Sequence, residues 1–270
     1  LLPGYKAADK SNWKFKFSAR TGGLNDMHSI DNLSIQYGDN PTLSVSPTAS
    51  TYYRCQATCA VSASTGTSTS ALVTVDPLSV AGTASSNQTI CSGSSPSNIT
   101  LSESTGSIQW QSSLDNSNWS DISGATSSTL TSAQMGSLTQ TTFYHAIVTS
   151  GVCSSATSNA VTVTVDPTSV GGTLSGSASV CSGTNSSKLV LNGYTGSIIK
   201  WQYSTIPDGT WTDISNTTSS YFADNLTSTL QYRVQIKSGV CPETYSAATG
   251  IYVDPSYTWE GTSSNDWSAV

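Results

Sequence analysis

The sequence predicts an all-β protein built of tandem two-sheet sandwiches arranged as a rod. Three observations carry that expectation. Apolar and polar residues alternate with a period of two over strand-length stretches, as in "LQYRVQIK", the pattern of a strand with one buried face. A unit of about ninety residues recurs with its cysteines, tryptophans and tyrosine in the same order, so the fold is to be sought within one unit. An Asp-Pro pair closes each unit, at Asp76-Pro77, Asp166-Pro167 and Asp254-Pro255. No stretch keeps an apolar stripe at helical spacing over a useful length.

Composition fits a folded, weakly charged chain. Of 270 residues only 10% are charged, against roughly a quarter in ordinary domains. Yet 36% are hydrophobic and 9% aromatic, more than a solvated linker carries. The net charge of −6, with only 10 Lys and Arg, offers no basic surface for nucleic acid or anionic lipid. No run of eighteen apolar residues is present to insert in a membrane. The opening "LLPGYKAADK" lacks the charged and apolar regions of a signal peptide, and the chain reads as a piece of something longer.

Taken in order, residues 1–38 stand apart from the repeat. Within "WKFKFSARTGGLNDMHSIDNLSI", Trp13, Phe15 and Phe17 alternate in a first strand, Ile30 and Leu33 belong to a second, and a Gly-rich loop joins them. This stretch resembles the closing strands of L-type, legume-like lectin domains. The resemblance implies a sugar-contacting loop at Gly22, Gly23, Leu24, Asn25 and Asp26. The acidic metal-binding residues of that family lie in strands with no counterpart here.

Residues 39–77 read as the second half of a repeat, because "TYYRCQAT" corresponds to "TFYHAIVT" and "LQYRVQIK". Two readings stand for its first half: an intervening stretch is missing, or the lectin-like strands complete a hybrid first domain. Cys55 and Cys59 have no evident partners. Four residues of extended strand separate their Cα atoms by about 13 Å, beyond disulfide reach.

Residues 78–167 and 168–255 are the two full copies. Cys91 recurs as Cys181, Trp110 as Trp201, Trp119 as Trp211, Tyr144 as Tyr232 and Cys153 as Cys241. About seven strand-length pieces per copy, separated by Gly, Ser, Asn and Asp turns, suit a sandwich of immunoglobulin type. Trp110 and Trp201 fall where such a sandwich places its core tryptophan. Tyr144 and Tyr232 fall in its penultimate strand. In "SIIKWQYS", Ile199, Trp201 and Tyr203 are expected to share the inward face. In "LQYRVQIK", Leu230, Tyr232, Val234 and Ile236 point inward, while Gln231, Arg233, Gln235 and Lys237 face water. Trp119 and Trp211 follow the turns "LDNSN" and "TIPDG"; packing on the hairpin is the expectation, with sugar stacking by Trp211 the alternative.

One cysteine near the start and one near the end of each copy favour the pairs Cys91–Cys153 and Cys181–Cys241, with buried thiols as the alternative. Closely spaced Cys pairs for zinc are absent. Oxidised cysteines point to an extracellular compartment. The Asp-Pro pairs end each last strand, since proline has no N–H to give a ladder. They read as short, rather rigid joints.

Catalytic chemistry finds little to work with. His28 and His145 lie in no motif with a nucleophile, and no lipase elbow, zincin or P-loop pattern occurs. No cofactor is expected beyond weakly bound calcium at acids such as Asp208 and Asp213, which more readily cap turns. The sequons at Asn87, Asn98, Asn118, Asn216 and Asn225 follow from composition.

The phrases "VCSGTNSSKLVLNGYTGSIIKWQYS", "YRVQIKSGVC" and "VTVTVDP" resemble the tandem immunoglobulin-like repeats of giant surface adhesins of gliding Bacteroidota, of the SprB type. The closing "YTWEGTSSNDWSAV", residues 256–270, resembles the start of a further module of such proteins. The resemblance implies export by a type IX secretion route, display at the cell surface, and a stalk role in attachment or gliding motility. Its partners would be neighbouring domains of the same chain, surface glycans or the outer-membrane motility machinery. A carbohydrate-binding module, or an accessory domain of a secreted hydrolase or phage fibre, is the alternative function.

Overall fold

The structure is a computed structural model describing residues 14–21, 27–29, 43–58, 63, 65–206 and 209–254, with the first two segments known by their backbone pairing. Gly23, Leu24 and Asn25, Cys59, Asp208 and the module at 256–270 lie outside the described residues.

The strand Lys14–Thr21 pairs antiparallel with Thr51–Thr58 along its whole length, Lys14 opposite Thr58 and Thr21 opposite Thr51. Met27–Ser29 adds to its outer edge. Thr65–Thr67 and Ala71–Val73 pair with Thr51–Thr58 from the other side. Strands from before and after residue 38 thus share one sheet.

Each full copy is a two-sheet sandwich. In residues 78–167 the larger sheet runs Ser120–Asp121, Ser107–Ser113, Thr142–Thr149, Val161–Asp166, Gln88–Cys91, with Ala156–Thr157 also on Thr142–Thr149. The smaller sheet runs Thr129–Leu130, Ile99–Ser102, Thr83–Ala84. In residues 168–255 the larger sheet is Ala178–Cys181, Thr249–Asp254, Leu230–Lys237, Ser197–Thr205, Thr212–Ile214, and Thr173–Ser175, Ser186–Asn192, Ser220–Asp224 form the smaller. In both copies the early cysteine ends a strand that runs parallel to the last strand: Cys91 lies opposite Asp166, and Cys181 opposite Asp254.

The alternation seen in the sequence builds the cores. Trp110 and Trp201 are both 0% exposed. Each buried indole N–H donates to a carbonyl, of Ser127 and Thr218 respectively, both at 2.9 Å. A tryptophan is stable at the centre of a sandwich only when its one donor is so satisfied. Tyr144 and Tyr232 are buried as well, and burial pushes the Tyr232 hydroxyl up to about 12. Around Trp201 and Tyr232 pack Leu189, Leu191, Val234, Ile236 and Ile251.

Two details depart from strict alternation. The register shifts by a β-bulge between Ile198 and Lys200, so Ile198 packs on the core with Tyr203 while Ile199 is exposed. The sequence carries the cause, since "SIIKW" has one residue more than "SIQW" and a bulge absorbs one extra residue. Gln235, expected to face water, is buried and donates to Glu243 Oε2 at 2.5 Å. Thr244–Tyr245 adds to the sheet beside it with Tyr245 directly opposite Gln235, so the Tyr245 and Glu243 side chains flank the amide.

Candidate functional site at the joint between repeats

The cysteines do not pair within copies. Cys91 is bonded to Cys241 of the following repeat, with their Cα atoms 4.8 Å apart, and Cys153 and Cys181 carry free thiols. The expected pairs Cys91–Cys153 and Cys181–Cys241 are therefore corrected, and strand direction is the reason. Cys91 lies beside the outgoing end of the last strand. Cys153 follows the penultimate strand, which runs antiparallel to the last one, Thr142 opposite Val163. The two sites in one copy are separated by about ten residues of strand, on the order of 30 Å. No disulfide bridges that distance. The outgoing pole of one repeat instead meets the incoming pole of the next, which brings an early cysteine to a late one.

Around this bond the joint is tightly specified. The Val240 N–H donates to Asp166 Oδ2 (2.9 Å) and the Ser238 N–H to Ser169 Oγ (2.9 Å). Cys241 Sγ lies 3.3 Å from the Pro167 carbonyl oxygen. Gly239 sits at φ +45°, and a Cβ there would run into the Asp166 carboxylate. Glycine is required twice over, for its positive φ and for the close approach. The same parts recur at the preceding joint. The Val152 N–H donates to Asp76 Oδ2 (3.2 Å), the Ser150 N–H to Ser79 Oγ (2.9 Å), and Cys153 Sγ lies 3.4 Å from the Pro77 carbonyl oxygen. Gly151, at φ +50°, faces the Asp76 carboxylate. The sequence signal for this site is the recurrence of Ser-Gly-Val-Cys at 150–153 and 238–241, with Val-Asp-Pro-x-Ser at 75–79 and 165–169. The sequence reading takes the Asp-Pro pairs as strand ends and leaves the Ser-Gly-Val-Cys turn without a partner.

The second tryptophans pack on the penultimate strand. Trp211 lies half-buried with the Arg233 guanidinium 4.1 Å from its ring centroid, and Tyr245 holds the same guanidinium at 4.0 Å. Arg233 Nε donates to Gln202 Oε1 (2.8 Å), and Gln202 Nε2 donates to Asp213 Oδ1 (2.7 Å). In the other copy Trp119 stacks on His145 at a 3.6 Å centroid separation, His145 Nε2 lies 2.7 Å from Gln111 Oε1, and Gln111 Nε2 donates to Asp121 Oδ1 (2.7 Å). The two networks are the same device with Arg exchanged for His. Burial holds the His145 imidazole below its ordinary pKa.

Asp213 also accepts from Lys200 Nζ at 2.7 Å. Its carboxyl is held below the usual range, by the Gln202 hydrogen bond first and by Lys200 after it. Both oxygens are thus engaged within the sheet. Among the described residues no group of three or more His, Cys, Asp or Glu is placed to hold a metal ion. In the turn "LDNSN" the Asp115 carboxylate lies well below the usual range because the Asn118 backbone and side-chain amides and the Ser117 N–H donate to it.

A family model described as a domain of unknown function, DUF8696, matches residues 80–167 and 170–255. The chain belongs to this family. The two matched segments coincide closely with the two sandwiches, so each DUF8696 repeat is one sandwich. The chain is similar along its length to tandem immunoglobulin domains. Titin domains A168–A170 align at 16% identity over 90% of this chain and 89% of that one, with a TM-score of 0.42. Extracellular domains 3–5 of Drosophila OTK align at 12% identity over 92% and 87%, with a TM-score of 0.36. Sidekick-1 immunoglobulin domains 1–5 align at 12% identity over 90% and 54%, with a TM-score of 0.37. No curated protein matches the chain.

Proposed function

We propose that the chain is a segment of the stalk of a secreted cell-surface adhesin, a non-catalytic spacer that carries tension in surface attachment or gliding motility. The single observation behind this reading is the Cys91–Cys241 bond, which ties one DUF8696 repeat to the next across the Asp166-Pro167 joint. A disulfide at that place adds nothing to a catalytic pocket, but it alters what happens when the two ends of the chain are pulled. Tension entering at Cys91 passes through the sulfurs to Cys241, so the intervening residues, which include most of both cores, are bypassed. Such a bond persists in an oxidising, extracellular setting. The likeness of the repeats to SprB-type adhesins supports surface display and type IX export. Neighbouring domains of the same chain, with surface glycans or outer-membrane motility machinery beyond them, are the partners this reading assigns.

The reading is tested by pulling single molecules between the chain termini. With the bonded cysteines 150 positions apart in the chain, reduction is expected to release roughly 50 nm of extra contour length, at up to about 3.5 Å per residue. Equal contour lengths with and without reductant would show that the bond carries no tension and overturn this reading.

A further inference from the structure

The two free thiols in the repeats occupy the same two places as the bonded pair. Cys181 ends a strand in parallel register with the last strand of its repeat, opposite Asp254, as Cys91 does opposite Asp166. Cys153 follows a Ser-Gly turn whose backbone amides are held by Asp76 and Ser79, as those preceding Cys241 are held by Asp166 and Ser169. Its sulfur lies against the Pro77 and Asp76 carbonyl oxygens at 3.4 and 3.8 Å; Cys241 lies against those of Pro167 and Asp166 at 3.3 and 3.6 Å. Neither thiol reaches the other cysteine of its own repeat, because the two lie at opposite poles. Cys181 is exposed at its pole.

We infer that Cys153 and Cys181 are the two halves of the same inter-repeat disulfide wherever a full repeat adjoins theirs, Cys153 taking the early cysteine of a preceding full repeat and Cys181 the late cysteine of a following one. The observation that points to this ligand is the bond already made at the equivalent joint. A tandem array of this repeat is then laced, each unit bonded backward through its late cysteine and forward through its early one. Each bond forms when two thiols give up two protons and two electrons to a disulfide oxidant such as glutathione disulfide, which leaves as two thiols. The turn and the Asp-Pro pair position the sulfurs before oxidation; the oxidant supplies only the electron sink. This inference concerns connectivity and holds whether or not the array bears load on a cell.

Two chains test it, each the full protein with one repeat duplicated. In the first, residues 168–255 are repeated directly after Pro255, so that the new junction reads Asp-Pro-Thr-Ser as at 166–169. In the second, residues 78–167 are repeated directly after Pro167. In the added copy of each, the residue before either cysteine is exchanged between Val and Ile (Val180→Ile and Val240→Ile, or Ile90→Val and Val152→Ile), so that its peptides differ in mass from those of the original. Each chain is then refolded with reduced and oxidised glutathione, alkylated and mapped by non-reducing peptide mass spectrometry. The first is expected to show Cys181 bonded to the late cysteine of the added copy. The second is expected to show the first-copy Cys91 bonded to the added copy's late cysteine, and the added early cysteine bonded to Cys241, the late cysteine of the following repeat. Alkylated Cys181, or a bond between Cys181 and Cys241 of the same repeat, would overturn the inference. Should a duplication fail to fold, Cys241→Ser in the unaltered chain decides the direction of pairing: one new reactive thiol at Cys91 supports it, and a change confined to Cys181 sinks it.

Discussion

Cys91 and Cys241 are covalently joined across the Asp166-Pro167 joint, 150 positions apart in the chain. Each lies in a sandwich with its own buried tryptophan, so the bond closes a large loop around two self-sufficient cores. In the chain-entropy account such a loop restricts the unfolded ensemble, and losing a native disulfide costs about 2–5 kcal/mol. Cys241→Ser is therefore expected to lower the urea midpoint of the two repeats under oxidising conditions and to leave it unchanged in reductant. A variant indistinguishable from the parent in oxidising buffer would show that the bond does not form in solution.

Gly239 supplies a second prediction. Its φ of +45° and its contact with the Asp166 carboxylate leave no room for a methyl group. Gly239→Ala should cost about 1–3 kcal/mol, combining backbone strain with disturbance of the Val240 N–H bond to Asp166. Gly193, at φ +65° with nothing within 4 Å of an added Cβ, is the control: Gly193→Ala should cost only the strain, about 1 kcal/mol. Equal losses in urea titrations of the two variants would remove the joint from the explanation.

The four tryptophans of the repeats separate into two kinds. Trp201→Phe leaves the Thr218 carbonyl without its donor and opens space in a closed core, so a loss of about 2–4 kcal/mol is expected. Trp211→Ala removes a half-buried ring from the Arg233 guanidinium, and about 1 kcal/mol is expected, in the range of a partly solvated cation–π contact. Urea midpoints in the reverse order would mean that the outer face carries the fold.

Much of this was legible beforehand. The core positions follow from period-two alternation and the repeated spacing of Trp110 and Trp201, and each sandwich is closed by an Asp-Pro pair. The bulge after Ile198 was missed, with Ile199 placed inward, although one residue too many before Trp201 records it. The short helix Ser132–Met135 was missed as well, though its capping box is present: the Thr131 hydroxyl and the Gln134 side chain satisfy each other's backbone N–H. Disulfide connectivity was not legible from spacing. It depends on which pole of the sandwich each cysteine reaches, and that is set by the parallel pairing of Gln88–Cys91 with the last strand, a long-range choice that leaves no trace in local periodicity. The burial of Gln235 escaped for a similar reason, since its neighbours Glu243 and Tyr245 come from a later segment whose strand pairs beside it.

His145 makes repeat 78–167 sensitive to acid in a way the other repeat is not. Its imidazole is buried against Trp119, and desolvation lowers its pKa from the ordinary 6.5. With the folded pKa depressed, the unfolded chain takes up the proton first as pH falls. Stability is then full above about 6.5 and declines below it until the folded-state pKa is passed. His145→Arg copies the Arg233 arrangement, where a permanent charge stacks on Trp211 and donates to the equivalent glutamine, and should flatten that decline. Urea unfolding of parent and variant at pH 7.5 and 5.0 checks this: the parent should lose more stability on acidification than the variant, and equal losses would assign the acid sensitivity to other groups.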